Sequence, residues 1–256
     1  MNTREKLNYP RPDDSAFTRV DLLVILAALA LLAVLAIPSL GRGTEKTTIA
    51  QCAANLRQYD SALQIYGNEN RDNLPSNMYG DWAWDTASSV VSFVTNAGVK
   101  WISLYCPGTA PRFTEQDDLN LFNFAPPSFS VLGYASTLPS TADFAGVFAT
   151  NLNLSLTAQR APPYVGSTQP LPVKSASRPL VADATLNNTG NSSLYSTMVT
   201  YNWVSVPGGY GKFHLSAHLN GTVPLGGNIG MLDGHVEWRN FKDMLPRTSS
   251  SPYFYW

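Results

Sequence analysis

Two cysteines in 256 residues are too few for a disulfide-dense miniprotein or for a zinc module with four cysteine ligands. Charge is also scarce. Only 14% of residues are Asp, Glu, Lys or Arg, well under the roughly 25% usual for soluble domains. The net charge is −1, so the chain lacks the basic face of a general nucleic-acid binder. A nucleophile elbow, a P-loop and a dinucleotide fingerprint are all missing. These gaps argue against an enzyme and imply no cofactor. Disorder is excluded by the aromatic content of 11%, because disordered chains are charge-rich and poor in aromatics. The length fits one or two domains with a real core.

What the chain does have is one concentrated apolar run. Leu22 to Leu40 is interrupted only by Pro38 and Ser39, and no charge occurs from Leu22 to Gly41. As a helix this stretch would span about 30 Å, the thickness of a bilayer core. Leu and Ala dominate it, and both favour helix. A cleaved secretory signal, with Val34-Leu35-Ala36 as its small-residue cleavage site and Ile37 as the new start, is the alternative to a retained segment. Against it, Arg4, Lys6, Arg11 and Arg19 are balanced by Glu5, Asp13, Asp14 and Asp21, where such a signal is basic.

The order of features around this run is specific. A polar leader, MNTREKLNYPRPDDSA, ends at Ala16 and is followed by Phe17, Asp21, the apolar run and Pro38. This resembles the N-terminal signal of type IV pilins and type II secretion pseudopilins. In that family a prepilin peptidase cuts before the apolar helix, and the new N-terminal Phe is methylated. The resemblance places the cut between Ala16 and Phe17. Asp21 is then the fifth mature residue and Pro38 the twenty-second, as in the family. Ala16 stands where Gly is usual, Asp21 where Glu is usual and Arg19 where Leu is usual. By this resemblance Asp21 would pair with the α-amine of Phe17 on a neighbouring subunit, since a buried cation needs a partner. Pro38, with Gly41 and Gly43 after it, predicts a flexible joint over 37–43.

The segment CAANLRQYDSALQIYGNENRDNLP, residues 52–75, extends the resemblance to a prepilin-type processing-associated group. That group also carries a Cys-Pro, here Cys106-Pro107, and a C-terminal His-X9-Asp-Gly motif. Asp233 and Gly234 match the motif, but 14 residues lie between His218 and Asp233 where the motif has nine, with the extra ones placed in Leu219–Gly226. The fold expected is therefore α+β and pilin-like. A long N-terminal helix, transmembrane in its first half and amphipathic in its second, would pack on an antiparallel β domain with long loops. The divisions expected are a leader over 1–16, a transmembrane or filament-core helix over 17–43, an amphipathic helix over 44–67 and an extracytoplasmic β-rich domain over 68–256.

The residues support the second helical half on their own. Ile49, Ala53, Leu56, Leu63 and Tyr66 form one apolar face, with Cys52 and Tyr59 beside them. In an exported domain disulfides persist. A Cys52–Cys106 bond is expected; it would stabilise the fold by about 4 kcal/mol. Two buried free thiols are the alternative. Further on, Val90–Val94, Lys100–Tyr105, Leu180–Asp183 and Met198–Val204 read as strands, and Ser136–Pro172 as a polar, irregular insertion. Asp233-Gly234 predicts a two-residue type I′ hairpin, with Ile229 and Met231 facing Val236 and Trp238.

Metal chemistry is weakly signalled. His214, His218, Asp233 and His235 offer a set of zinc-ligating side chains, but the Gly-rich surroundings do not favour a helix and no His-Glu-x-x-His motif is present. Asp72, Asp81 and Asp85 offer oxygens to calcium without EF-hand spacing. Trp82, Trp84 and the terminal Tyr253–Trp256 are either core or recognition surface. The function expected is a structural subunit of a type IV pilus or type II secretion filament. Its partners would be a prepilin peptidase, other pilin or pseudopilin subunits and the bacterial inner membrane. The other reading is a monomeric, membrane-anchored periplasmic domain, with glycan as one possible ligand.

Overall fold

A computed structural model describes residues 19–79, 81–141, 176, 178–248 and 250–256, apart from the side chains of 28–44. Two compact units result, Met1–Thr44 and Glu45–Trp256. Helix α1 runs Arg19–Glu69, continuing through the expected joint at 37–43. Within the second unit, α1 buries Cys52, Leu56, Tyr59 and Leu63 completely. Steps of four, three and four residues keep these on one helix face. The chain turns after Glu69, where Arg71 and Asp72 take positive φ and the Asp72 N–H donates to the Gly67 carbonyl.

The rest of the second unit alternates short elements. Strand β1 (Asp85–Ala87) pairs with β2 (Phe129–Val131). Helix α2 (Ser88–Asn96) buries Val90, Val91 and Val94. Helix α3 (Glu115–Phe122) starts at a capping box between Thr114 and Asp117, which satisfies end N–H groups from both sides. The main sheet has the order β3-β4-β8-β9, all antiparallel. Its strands are β3 (Tyr134–Ser136), β4 (Pro179–Asp183), β8 (Gly226–Met231) and β9 (Val236–Asn240). Two further pairs are β5 (Thr185–Asn187) with β10 (Tyr253–Tyr255), and β6 (Leu219–Asn220) with β7 (Val223–Pro224). A one-turn helix, α4, covers Tyr195–Met198.

Helix α1 lies against β8. The carboxylate of Asp60 would meet any Cβ placed on Gly230, so glycine there lets helix and strand approach. Asn228 donates from Nδ2 to the Ile49 carbonyl, and Gln64 from Nε2 to that of Leu232. The core gathers Leu56, Tyr59, Leu63, Trp84, Tyr134, Val181, Ile229 and Phe254. A smaller one gathers Met198, Trp203, Phe241, Met244 and Tyr255.

The expected fold needs correcting. Among the described residues no helix is long and apolar enough to cross a membrane, so the transmembrane first half is withdrawn. The described residues of the body form an α+β assembly of helices and four small antiparallel sheets, not one antiparallel β domain. Val90–Val94 is helical and Trp101–Leu104 is a 3₁₀ turn, so β-branched and aromatic content misled where periodicity was too short to decide. Met198 ends α4, and the residues after it form turns. Leu180–Asp183 is strand, inside β4. Residues 142–172 of the expected insertion lie outside the described residues.

The Asp-Gly hairpin forms with a different turn. Met231 accepts from the Gly234 N–H, Met231 N–H donates to His235, and of the loop residues only Gly234 has positive φ. This is a three-residue loop ending in a left-handed glycine, not a type I′ turn. One extra loop residue moves the register by one and exchanges the faces. Asn228 therefore opposes Trp238, and Ile229 opposes Glu237. Trp84, Phe254, Tyr255 and Trp256 are all buried, so these aromatics belong to the core.

Candidate functional site

Four chemically reactive side chains from distant parts of the sequence meet in the second unit. Cys52 comes from the buried face of α1. Cys106 leads into a short 3₁₀ turn, Pro107–Thr109. Asp183 ends β4. His218 precedes β6. One ligand atom from each lies within 4.8 Å of the others, and all four residues are buried.

The contacts are specific. His218 Nε2 is 3.3 Å from Cys106 Sγ and 3.5 Å from Asp183 Oδ2. Cys52 Sγ donates to Asp183 Oδ1 at 2.7 Å. The other ring nitrogen, Nδ1, is 3.0 Å from Glu45 Oε1. Asp183 Oδ2 also accepts from the Asn228 backbone N–H at 2.6 Å and from Asn228 Nδ2 at 3.1 Å. Cys106 Sγ accepts from the Gly108 N–H at 3.4 Å. Trp238 meets the His218 ring edge-on, with centroids 5.5 Å apart. That contact depends on the three-residue turn, which puts Trp238 on the Asn228 side of the hairpin.

Electrostatics follow from this packing. Burial pushes the Cys52 thiol well above its ordinary value, and Cys106 and Asp183 push in the same direction. Burial also lifts the Cys106 thiol, to about 11. For His218, burial pulls the imidazole down, but hydrogen bonds to Asp183 and Cys52 and the charge of Asp183 outweigh it and raise it to about 10. Asp183 and Glu45 thus favour the charged form of the imidazole, while burial favours the neutral form of both thiols.

Both cysteines are free. Where a Cys52–Cys106 disulfide is expected from sequence, the structure holds two buried thiols side by side, Cys52 against Asp183 and Cys106 against His218. The expected motif does not assemble as a unit: His218 is in the cluster, while Asp233 and Gly234 sit at the hairpin turn. The longer spacing after His218 is taken up by the β6–β7 hairpin. This hairpin folds back so that the Leu225 N–H donates to the His218 carbonyl at 2.8 Å.

The zinc set weighed from sequence is divided three ways. Asp233 pairs with His235 at 2.6 Å on the surface. His214 stacks on Phe113 and packs against Trp84, with ring centroids at 5.3 and 4.3 Å, and burial lowers it to about 4. Of these four, only His218 belongs to a group of three or more potential metal ligands among the described residues. The calcium candidates also separate. Asp72 is exposed in the turn after α1, and Asp85 Oδ2 accepts the N–H groups of Asp81 and Trp82. Asp21 lies in the exposed first turn of α1. Ala16 and Phe17, and the side chain of Pro38, lie outside the described residues.

Sequence reasoning missed Asp183 because it read only as the end of a strand. The available signal was an acid closing the apolar run Leu180-Val181-Ala182, since such an acid must find partners when buried. No protein-family model matches the chain, no curated protein matches it, and no solved structure matches it.

Proposed function

We propose that the chain is a structural subunit of a filament of the type IV pilus or type II secretion kind, cut by a prepilin peptidase between Ala16 and Phe17. The observation that carries this reading is the surface of α1 in the first unit. Val20, Leu22, Leu23, Val24, Ile25 and Leu26 are 44–66% exposed. These neighbours point around the helix, so apolar surface is presented on all sides. A helix of that kind needs cover from other apolar surface. Equivalent helices of neighbouring subunits supply it in a filament. The ordered set of Ala16, Phe17, Asp21 and Pro38 gives the same direction.

In this reading Asp21 neutralises the freed α-amine of Phe17 in a neighbour, and the body of residues 45–256 is carried on the filament surface outside the cytoplasm. The chain's work is mechanical and not catalytic. Mass spectrometry of the N-terminal peptide, from protein taken from its native host, tests processing. Methylated Phe17 is expected; an intact Met1 or a start at Ile37 overturns the reading. Assembly is checked in the sheared-filament fraction. Asp21→Ala should be lost from it while remaining processed, and normal incorporation would refute the charge pairing.

A further inference from the structure

We propose that Cys52, Cys106, Asp183 and His218 hold one zinc ion in a closed structural site. The proposal goes beyond the filament reading and does not depend on it. The ligand set lies wholly within residues 45–256.

The donor set selects the metal class. Two sulfurs and one imidazole nitrogen suit a borderline-soft ion, whereas calcium and magnesium take oxygen ligands. Four protein donors complete a tetrahedron, the usual structural zinc arrangement. Complete burial leaves no open position for a water or substrate, which separates this site from catalytic zinc. The spacing fits as well. With zinc bonds of about 2.0–2.3 Å, neighbouring tetrahedral ligands lie roughly 3.3–3.8 Å apart. The separations of His218 Nε2 from Cys106 Sγ and from Asp183 Oδ2, 3.3 and 3.5 Å, fall in that range.

The supports around the ligands are those a metal site requires. Glu45 on Nδ1 fixes the His218 tautomer and turns Nε2 toward the two sulfurs, the carboxylate–histidine–metal arrangement. Asn228 holds Asp183 Oδ2 twice, which orients the carboxylate. The Gly108 N–H on Cys106 Sγ stabilises negative charge on that sulfur. The backbone at His218 gives an independent sign. Its φ is 55°, a left-handed conformation that a non-glycine residue adopts at an energetic cost and that concentrates at functional positions. Two features hold it: the Leu225 N–H on its carbonyl, and Gly108, where any Cβ would come within 3.0 Å of His218 N and Nδ1.

On loading, the thiol protons of Cys52 and Cys106 and the Nε2 proton of His218 leave to solvent as the two sulfur bonds and the nitrogen bond to zinc form. No oxidant or reductant takes part. The ion then ties α1, the turn after Cys106, the end of β4 and the loop before β6 to one point.

The test uses the full chain, prepared with reductant and chelator and then desalted. Cobalt(II) is titrated in first. The expected result is one cobalt per chain, with the intense visible bands of a tetrahedral site and a near-ultraviolet thiolate charge-transfer band, both erased by equimolar zinc. A weak octahedral spectrum without the thiolate band overturns the proposal. Cys106→Ser should lower zinc affinity by more than about 100-fold. Glu45→Gln, which only holds a ligand, should lower it by about 10–100-fold. Native mass spectrometry of the unmutated chain does not depend on how the variants fold. A one-zinc adduct with a raised Tm supports the site, and failure to retain zinc overturns it. A Cys52–Cys106 disulfide in protein from the native host also overturns it, because it removes both thiolates.

Discussion

His214 and His218 stand four residues apart, are both buried, and have opposite electrostatics. His214 is enclosed by Phe113, Trp84 and Tyr210; burial alone acts on it, and it stays neutral to about pH 4. His218 meets Asp183 on one ring nitrogen and Glu45 on the other, and is held charged. Burial sets the cost of a charge, and partners decide whether it is met. The same contrast divides two buried acids. Asp183 has Asn228, Cys52 and His218. Neither carboxylate oxygen of Asp60 has a hydrogen-bond partner among the described residues, and burial followed by the charge of Asp233 raises Asp60 well above 3.8.

The contrast can be broken by removing the charged partner. His218→Leu, in metal-free protein, leaves Asp183 as a buried carboxylate without its cation. Urea unfolding at neutral pH should show a loss of about 3–5 kcal/mol. An unchanged midpoint would mean that the His218 pairing contributes nothing.

Asp60 gives the next effect, of opposite sign. Its folded-state value lies above 3.8, so the folded protein holds a proton that the unfolded chain gives up. Stability is greatest below 3.8 and declines as pH rises toward the folded value. Asp60→Asn should flatten that decline and make the protein more stable at pH 7 than the parent. Unfolding curves across the pH range check both points; a parallel pair of curves would contradict an unpartnered Asp60.

His214→Phe sharpens the comparison from the apolar side. The unfolded chain takes up a proton near pH 6.5 and the folded protein only near pH 4. The parent therefore loses stability as pH falls from 6.5 to 4. The variant should lack that acid sensitivity and lie within about 1.5 kcal/mol of the parent at pH 7. Glu45→Gln should be the smallest change in the metal-free state. The Glu45 side chain is 34% exposed, and a solvent-screened pair contributes about 1 kcal/mol or less.

Parts of this architecture were legible in the sequence because they are local. Cys52, Leu56, Tyr59 and Leu63 recur at helical spacing, and Gly234 marks a turn. The main strand Leu180–Asp183 is a short apolar run closed by an acid. The hairpin register was not legible. A two-residue and a three-residue loop around Asp233-Gly234 differ by one position in pairing, and hydrophobicity of Ile229 and Met231 favoured the wrong face. Both faces of β8 are buried, so the alternation that normally fixes register was uninformative. The surroundings of the cysteines were not legible either. Two thiols in a chain expected to be exported suggested pairing with each other, and nothing in the spacing showed that Asp183 and His218 would join them.

By itself the sequence determined the concentrated apolar segment at 22–40, the buried stripe of α1 and the positions of several turns, because propensity and periodicity act over a few residues. Only the tertiary structure decided the Cys52, Cys106, Asp183 and His218 cluster. Its members are separated by dozens of residues and share no spacing. They meet because glycine at 230 lets α1 approach β8, the three-residue turn puts Trp238 beside His218, and the β6–β7 hairpin folds the longer loop back onto His218. Local rules place side chains on faces, and packing of those faces sets which charges and thiols become neighbours.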